Sequence, residues 1–142
     1  MRISDVLRSK GSTVATVDPG VTVSGLVAEL ARHNVGAMVV VEGGRVVGIV
    51  SERDVVRQLH ERGADLLNAP VSEIMTSEVY TCLPTDSVDS LAATMTERRI
   101  RHMPVVVDGS LVGIVSIGDV VKSRIGELES DREQLESYIA RG

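Results

Sequence analysis

The amino-acid sequence predicts a mixed α/β (α+β) fold, in which two pseudo-symmetric β-α-β-β-α repeats pack through their sheets and a C-terminal helix follows. Three observations support this prediction. Sliding the sequence by 65 residues lays residues 14–57 over residues 79–122 without a gap. Each copy contains short Val-rich apolar runs bounded by glycine or proline, which are typical of buried strands. Near the end of the chain, apolar residues recur at spacings of three and four, as on an amphipathic helix.

The two copies match most closely in their second halves. The segment VVGIVSERDVVR (46–57) falls on LVGIVSIGDVVK (111–122), and MVVVEGG (38–44) falls on MPVVVDG (103–109). Agreement over two separate stretches at one offset indicates a duplicated structural unit rather than a chance motif.

A shorter match precedes each copy at a different offset. ISDVL (3–7) corresponds to VSEIM (71–75) at an offset of 68 residues, so a three-residue length change lies before the first strand. We assign repeat 1 to residues 1–68, repeat 2 to residues 69–125 and an amphipathic helix to residues 126–142.

Each repeat opens with a predicted strand, at residues 14–17 and 79–82. A helix follows in each copy, because apolar residues recur at helical spacing after the candidate N-caps Thr22 and Ser87. Both helices are therefore expected to bury one face.

A hairpin and a second helix complete each repeat. Two apolar runs flank residues 42–45 in repeat 1 and residues 108–110 in repeat 2, with glycines where a tight turn needs positive φ. The second helix is predicted from Glu52 to about Arg62 in repeat 1 and from Ile117 onward in repeat 2. A unit of this size buries a poor core by itself, so the two copies should pack together.

Composition excludes several classes of function. Apolar residues make up 43% of the chain and charged residues 25%, with no Phe or Trp and a net charge of −5. A nucleic-acid binder would normally carry a basic face or aromatic stacking platforms, so none is expected. We expect no membrane span, because no apolar run approaches the roughly 20 residues required, and no signal peptide.

The single cysteine, Cys82, bears on location and chemistry. One cysteine cannot form an internal disulfide, which favours a reducing, cytoplasmic location. A redox-sensing or palmitoylated thiol is an alternative, but a small buried side chain is the favoured interpretation.

The motifs GIVSERD (48–54) and GIVSIGD (113–119), together with the strand entry HMPVV (102–106), carry a family resemblance. The chain resembles a pair of CBS (cystathionine-β-synthase) domains, known as a Bateman module, from about residue 3 to residue 125. The resemblance implies two clefts between the repeats, each able to take AMP, ADP, ATP, NAD or S-adenosylmethionine. It also implies a non-enzymatic regulatory module that forms a homodimer and signals to an unknown partner protein.

The resemblance assigns ligand-binding roles to residues of both motifs. Asp54 and Asp119 would accept hydrogen bonds from ribose hydroxyls, and charged acceptors are worth roughly 1.5–3 kcal/mol per bond. Ser51 and Ser116 would meet a phosphate at a helix N-terminus, and apolar walls would come from Ile49 and Ile114. The alternative is structural, because Ser-x-x-Asp is also a capping-box spacing; the two roles are compatible.

The resemblance further implies that each cleft borrows segments from the other repeat. Arg101 and His102 align with phosphate-contacting residues, whereas Gly36 would border the other cleft, where it leaves room for a base. Arg98 and Arg99 are interpreted as the solvated end of a helix. The adenine side is predicted to be lined by Thr16, Val35, Val79, Tyr80 and Thr81. Tyr80 either stacks on the base or packs in the core.

The sequence leaves two alternatives to a regulatory module. An enzyme is disfavoured, because His33, His60 and His102 lack a metal-ligand spacing and no phosphate-binding loop motif is present. The remaining alternative is a structural dimerisation module whose clefts are vestigial. The C-terminal helix is expected to pack on the module or on its dimer mate, with a bend at Gly126.

Overall fold

The computed structural model describes residues 1–11 and 13–141. Its helices and strands follow the order expected for two β-α-β-β-α repeats, except that repeat 2 has no opening strand within these residues and one helix is added at the start. The first half contains α1 (Ile3–Lys10), β1 (Thr16–Val17), α2 (Val23–His33), β2 (Ala37–Glu42), β3 (Arg45–Ser51) and α3 (Glu52–Arg62). The second half contains α4 (Val88–Arg98), β4 (His102–Val107), β5 (Ser110–Ser116) and α5 (Ile117–Arg141). Two short 3₁₀ turns, Gly63–Asn68 and Val71–Glu73, connect the halves.

The two hairpins superimpose in register, as the sequence repeat predicts. Val39 pairs with Ile49 in the antiparallel β2–β3 hairpin, and Pro104 pairs with Ile114 in the β4–β5 hairpin. Both ladders shift register at the same place, one residue after these pairs. Strands β3 and β5 then lie against each other, so the repeats pack through their sheets.

The two opening strands, predicted at residues 14–17 and 79–82, are shorter than expected. Repeat 1 keeps only the two residues of β1, which pair in parallel with β2. Repeat 2 keeps a single bridge, between Cys82 and Val105. The residue before Val105 is Pro104, which has no N–H and so cannot extend the ladder.

The first helix of each repeat begins where the sequence predicted. The Thr22 hydroxyl accepts a hydrogen bond from the Gly25 N–H at 3.1 Å, and the Ser87 hydroxyl accepts one from Ser90 at the same distance. These bonds satisfy N–H groups that have no partner within the first helical turn. The caps therefore fix the starting points of α2 and α4.

The hydrophobic core of each repeat includes a short segment of the other repeat. Ile3, Val6 and Leu7 of α1 are buried in the core of repeat 2, whereas Val71 and Ile74 are buried in the core of repeat 1. Residues 3–7 and 71–75, which we call the opening segments, thus each pack in the core of the other repeat, not of the one that they open. The two halves are thereby tied into one unit.

The glycine that opens each signature motif is required by this exchange. A Cβ at Gly48 would lie 2.6 Å from the sulfur of Met75, and a Cβ at Gly113 would lie 2.7 Å from a methyl group of Leu7. Real Cβ atoms essentially never approach other atoms so closely. Glycine at both positions therefore allows the opening segments to rest on β3 and β5.

The C-terminal helix differs from its expected packing. Helix α5 runs without interruption from Ile117 to Arg141 through Gly126, and the bend at Gly126 stays a prediction. Only its first turns pack on the module, where Val120 is buried. Leu128, Leu135 and Ile139 lie beyond them and are 60–66% exposed. The second half of α5 therefore does not cover its own module.

The free thiol of Cys82 is buried, as expected for a small core side chain. Burial, together with the charge of Asp86, raises the pKa of Cys82 to about 12, which leaves the thiol protonated and unreactive. Within residues 1–11 and 13–141, no helix combines the length and apolar character needed to cross a bilayer.

Candidate ligand clefts

A cavity of about 400 Å³ opens between the repeats beside Asp54; we call it the first cleft. One wall is the corner between β3 and α3, and the other is formed by residues 76–80 and 99–102 of repeat 2. Eight residues that the sequence assigned to ligand binding line it: Gly36, Ile49, Ser51, Asp54, Val79, Tyr80, Arg101 and His102.

Asp54 both caps helix α3 and faces the first cleft. Its Oδ2 accepts hydrogen bonds from the Ser51 N–H at 2.8 Å and the Ser51 hydroxyl at 3.0 Å, while that hydroxyl accepts the Asp54 N–H. The capping box weighed from the sequence is therefore present. Within the part of the chain that the structure describes, no donor reaches Oδ1 of Asp54, which leaves this oxygen for a ligand.

Tyr80 lies on the opposite wall and does not pack in the core. Its ring is 38% exposed, and the guanidinium of Arg98 stands 4.9 Å from the ring centroid. A cation over one aromatic face is a favourable arrangement. Val79 beside it is partly buried, so the pair offers an apolar surface next to charged groups.

Arginines surround the cavity. Arg53 and Arg57 project from successive turns of α3, and Arg99 and Arg101 come from repeat 2. The carboxylates of Glu52, Asp54 and Glu78 also line the first cleft. Guanidinium groups bind phosphate through paired, charged hydrogen bonds, so the arrangement suits an anionic ligand. Arg99, predicted to be the solvated end of a helix, is exposed and also lines the cavity.

His102 occupies the start of β4, between the first cleft and Asp119. Its burial, followed by the charges of Lys10 and Arg101, lowers the pKa of His102 below its ordinary value of 6.5. The carboxylates of Asp119 and Glu52 oppose this effect without outweighing it. His102 is therefore neutral at pH 7, where it offers a ligand a hydrogen bond rather than a charge.

Gly36 lies in the first cleft, contrary to the prediction that it borders the other one. The Gly36 carbonyl accepts the Glu52 N–H at 2.9 Å, which brings the small segment of repeat 1 to the start of α3. A Cβ at Gly36 would lie 3.3 Å from the Glu52 carboxylate. Gly36 of repeat 1 and residues 99–102 of repeat 2 thus line the same cavity.

The second cleft is the pseudo-symmetric region around Ile114, Ser116 and Asp119. Oδ2 of Asp119 accepts hydrogen bonds from the Ser116 N–H at 2.9 Å and hydroxyl at 3.0 Å, repeating the cap of Asp54. It also accepts one from the ammonium of Lys10 at 2.6 Å. The same ammonium donates to the Ile114 carbonyl at 2.9 Å, so its hydrogen bonds go to two predicted ligand-binding residues.

Electrostatics distinguish Asp119 further. Burial raises the pKa of Asp119, but the hydrogen bonds and charge contributed by Lys10 and Ser116 outweigh burial, and the pKa lies below its ordinary value of 3.8. The carboxylate is consequently held ionised by an internal cation.

Three predicted adenine-side residues do not line the first cleft. Thr16 and Thr81 are exposed, and Val35 is 41% exposed at the end of α2. Whether they contact a ligand stays a prediction.

Sequence reasoning missed several residues of the clefts. Arg53 and Arg57 carried a usable signal, because they stand four residues apart on the predicted helix that begins at the motif. Glu78 and Lys10 had none, since each follows an opening segment whose exchange between repeats the repeat pattern does not reveal.

Comparison with known proteins shows the family. Residues 3–61 and 71–126 match the CBS domain. The CBS domain-containing protein CBSX3, mitochondrial, of Arabidopsis thaliana is 38% identical, and the alignment covers 99% of this chain and 72% of that protein.

Solved structures show the same architecture. The CBS-domain containing protein ATU1752 from Agrobacterium tumefaciens has a TM-score of 0.85 at 42% identity, with 87% of this chain and 99% of that chain covered.

Two further CBS structures contain ligands. The CBS domain protein PAE2072 from Pyrobaculum aerophilum, complexed with AMP, has a TM-score of 0.74 at 36% identity, with 84% and 89% of the two chains covered. The CBS pair of MJ0100, in complex with 5′-methylthioadenosine and S-adenosyl-L-methionine, has a TM-score of 0.81 at 26% identity, with 89% and 98% covered. The chain belongs to the CBS domain family, as a tandem pair of CBS domains followed by a long helix.

Proposed function

We propose that the chain is a non-enzymatic sensor that binds an adenosine nucleotide in the first cleft and signals its occupancy to a partner protein. The relatives solved with AMP and with S-adenosyl-L-methionine support an adenosine compound as the ligand class. The proposal includes a cytoplasmic location, for which the support is the lone buried thiol of Cys82.

One observation carries the proposal: Asp54, whose Oδ1 has no donor within the described residues, lines the same cavity as four arginines. A carboxylate oxygen without a partner suits the ribose hydroxyls, which are neutral donors. The arginines suit phosphate groups at the other end of the same ligand. This charge favours AMP, ADP, ATP or NAD over S-adenosylmethionine, whose sulfonium is a cation.

The remaining walls fit the rest of such a ligand. Ile49 and Val79 offer apolar surface to the base, and the Tyr80 ring stands where a base can stack beside it. Arg101 binds phosphate in this arrangement, and His102 donates or accepts one neutral hydrogen bond.

The Asp54→Asn variant tests the ribose assignment. We expect AMP affinity, measured by isothermal titration calorimetry, to fall roughly 10- to 100-fold, because a charged acceptor is lost. Asp5→Asn is the matched control, since Asp5 likewise accepts the N-cap N–H of its helix, from Arg2 at 3.0 Å, but lies outside the cavity. Unchanged AMP binding in Asp54→Asn, with Asp5→Asn also unchanged, would remove Asp54 from the site.

Arg101→Gln tests the phosphate assignment. We expect AMP affinity to fall while adenosine affinity stays the same, because adenosine has no phosphate to pair with the guanidinium. Equal losses for both ligands would make Arg101 structural.

The alternative is a structural dimerisation module with vestigial clefts. A ligand that binds only the folded state raises the melting temperature. If AMP, ATP, NAD and S-adenosylmethionine all leave the melting temperature unchanged, the structural alternative replaces the sensor. Turnover of any of them by the pure protein would instead indicate an enzyme.

A homodimer is part of the proposal. Val56 of α3 and Val121 of α5 occupy equivalent positions in the two repeats and are 66% and 51% exposed. A two-fold assembly uses the same patch on both copies, and such paired apolar positions suit a second copy of this chain. Light scattering of Val56→Glu combined with Val121→Glu should report a monomer where the parent chain reports a dimer.

A further inference from the structure

In the second cleft, a side chain of the protein itself pairs with the predicted ribose carboxylate. Lys10 is the last residue of α1, and its ammonium lies 2.6 Å from Oδ2 of Asp119 and 2.9 Å from the Ile114 carbonyl oxygen. In the first cleft, the equivalent carboxylate of Asp54 has Ser51 as its only recorded donor within residues 1–11 and 13–141. The two clefts therefore differ in whether an internal cation reaches the ribose carboxylate.

Lys10 is held within reach of Asp119 because α1 packs in the core of repeat 2. Ile3, Val6 and Leu7 anchor α1 in the core of repeat 2, and Leu7 rests on Gly113 one residue before Ile114. A side chain tethered this closely competes at a high effective concentration with any ligand from solution.

The repeat offers a direct comparison at this position. Leu7 corresponds to Met75, since each packs on the glycine of a signature motif, at the offset of 68 residues. Three residues further along, Lys10 corresponds to Glu78, which lines the first cleft. A carboxylate cannot donate a hydrogen bond to Asp54, so the first cleft keeps its acceptor open.

We propose that Lys10 is an internal ligand of the second cleft, which occupies the ribose carboxylate and so makes the first cleft the primary nucleotide site. The inference rests on the proposed function, because it concerns the same class of ligand. The ammonium shares Oδ2 of Asp119 with Ser116, as its partner in an ion pair that Asp54 does not form within the described residues. A nucleoside whose ribose pairs with Asp119 competes with Lys10 for this carboxylate, whereas one entering the first cleft meets no such cation on Asp54.

Lys10→Met with AMP as the probe tests the inference by isothermal titration calorimetry. The parent chain should fill one site, whereas Lys10→Met should fill a second site with affinity raised by roughly 10-fold or more, from the loss of a charged hydrogen bond. Lys122→Met is the matched control, because it removes the same charge from an exposed position of α5 that lines neither cleft. An unchanged or weakened second site in Lys10→Met overturns the inference.

The reciprocal change uses the first cleft. Glu78→Lys should weaken AMP binding there by roughly 10-fold or more, because the new ammonium can pair with Asp54. Glu78→Gln removes the negative charge without adding an ammonium and should bind AMP at least as well as the parent chain. If Glu78→Lys binds AMP as tightly as Glu78→Gln, an ammonium at this position does not close a cleft and the inference fails.

A measurement without ligand separates this inference from the proposed function. The pKa of Asp119, followed by NMR, should rise in Lys10→Met, because a hydrogen bond and a positive charge are lost together. An unchanged pKa shows that the ion pair does not form in solution and overturns the inference, even if the parent chain binds AMP. Absence of AMP binding in every variant, with the pKa raised, leaves the ion pair in place and removes the proposed function.

Discussion

The two clefts begin from nearly the same local sequence and reach different chemical states. In each cleft, a serine and an aspartate three residues apart cap a helix through matching hydrogen bonds at Ser51 and Ser116. Around Asp54 the neighbours are arginines and Glu78, and Ser51 is the donor to its carboxylate within the described residues. Around Asp119 the neighbour is Lys10, which forms an ion pair with the carboxylate.

The two clefts share the helix cap that the motif forms, but they differ in the charged residues that other segments place beside it. The capping geometry is fixed by residues adjacent in sequence, so it recurs wherever the motif recurs. Lys10 beside Asp119 and Glu78 in the first cleft each follow the opening segment of the other repeat. A motif by itself therefore identifies a family cleft without identifying what that cleft binds.

The largest expected effect concerns the core that positions Lys10. Ile3→Ala should lower the free energy of unfolding by roughly 2–5 kcal/mol, because Ile3 is fully buried and its truncation leaves a cavity. Urea denaturation measures this change, with Ile139→Ala as control, since Ile139 is 66% exposed and should shift stability by less than about 0.5 kcal/mol. Equal effects of the two substitutions would show that α1 does not belong to the core of repeat 2.

A smaller loss of stability is expected from alanine at Gly48 and Gly113, and its size should differ between the two positions. Gly48→Ala should destabilise the protein by roughly 1–3 kcal/mol, because its Cβ would meet Met75 and also the backbone oxygen of Thr76 at 3.1 Å. Gly113→Ala should cost less, since its nearest neighbours belong to the end of the Leu7 side chain, which can turn away.

The comparison of Gly48 and Gly113 has an internal control in α5. Nothing lies within 4 Å of a Cβ built at Gly126, so Gly126→Ala should stabilise the helix by up to about 1 kcal/mol. Thermal denaturation of the three variants gives the order. A loss at Gly113 as large as that at Gly48 would show that α1 is as rigid as the backbone at Thr76.

The smallest effect is a pH dependence that arises at His102, between the clefts. The unfolded chain binds a proton at the ordinary pKa of 6.5, but the folded chain binds it only at lower pH. Stability contributed by neutral His102 is therefore complete above pH 6.5 and is lost as pH falls through the lowered pKa. Urea midpoints at pH 7.5 and 5.5 should differ more in the parent chain than in His102→Gln. Identical pH dependence in both would place the titration elsewhere.

The repeat, the order of the hairpins and main helices, and the capping residues could be predicted from the sequence. These features depend on local physics: apolar periodicity predicts α2 and α4, and glycine at positive φ predicts the hairpin turns at Gly44 and Gly109. The signature motifs also identified Asp54 and Asp119 as matched carboxylates, because both lie three residues after a serine at a helix start.

Which charged residues lie beside those carboxylates depends on contacts between segments that are far apart in sequence. Lys10 is 109 residues from Asp119 in sequence, and its position depends on α1 crossing to the core of repeat 2. Similarly, Pro104 shortened a predicted strand only because its missing N–H faces residues 79–82. Contacts between distant segments are set by which apolar surfaces bury each other, and neither periodicity nor motif spacing encodes that choice directly.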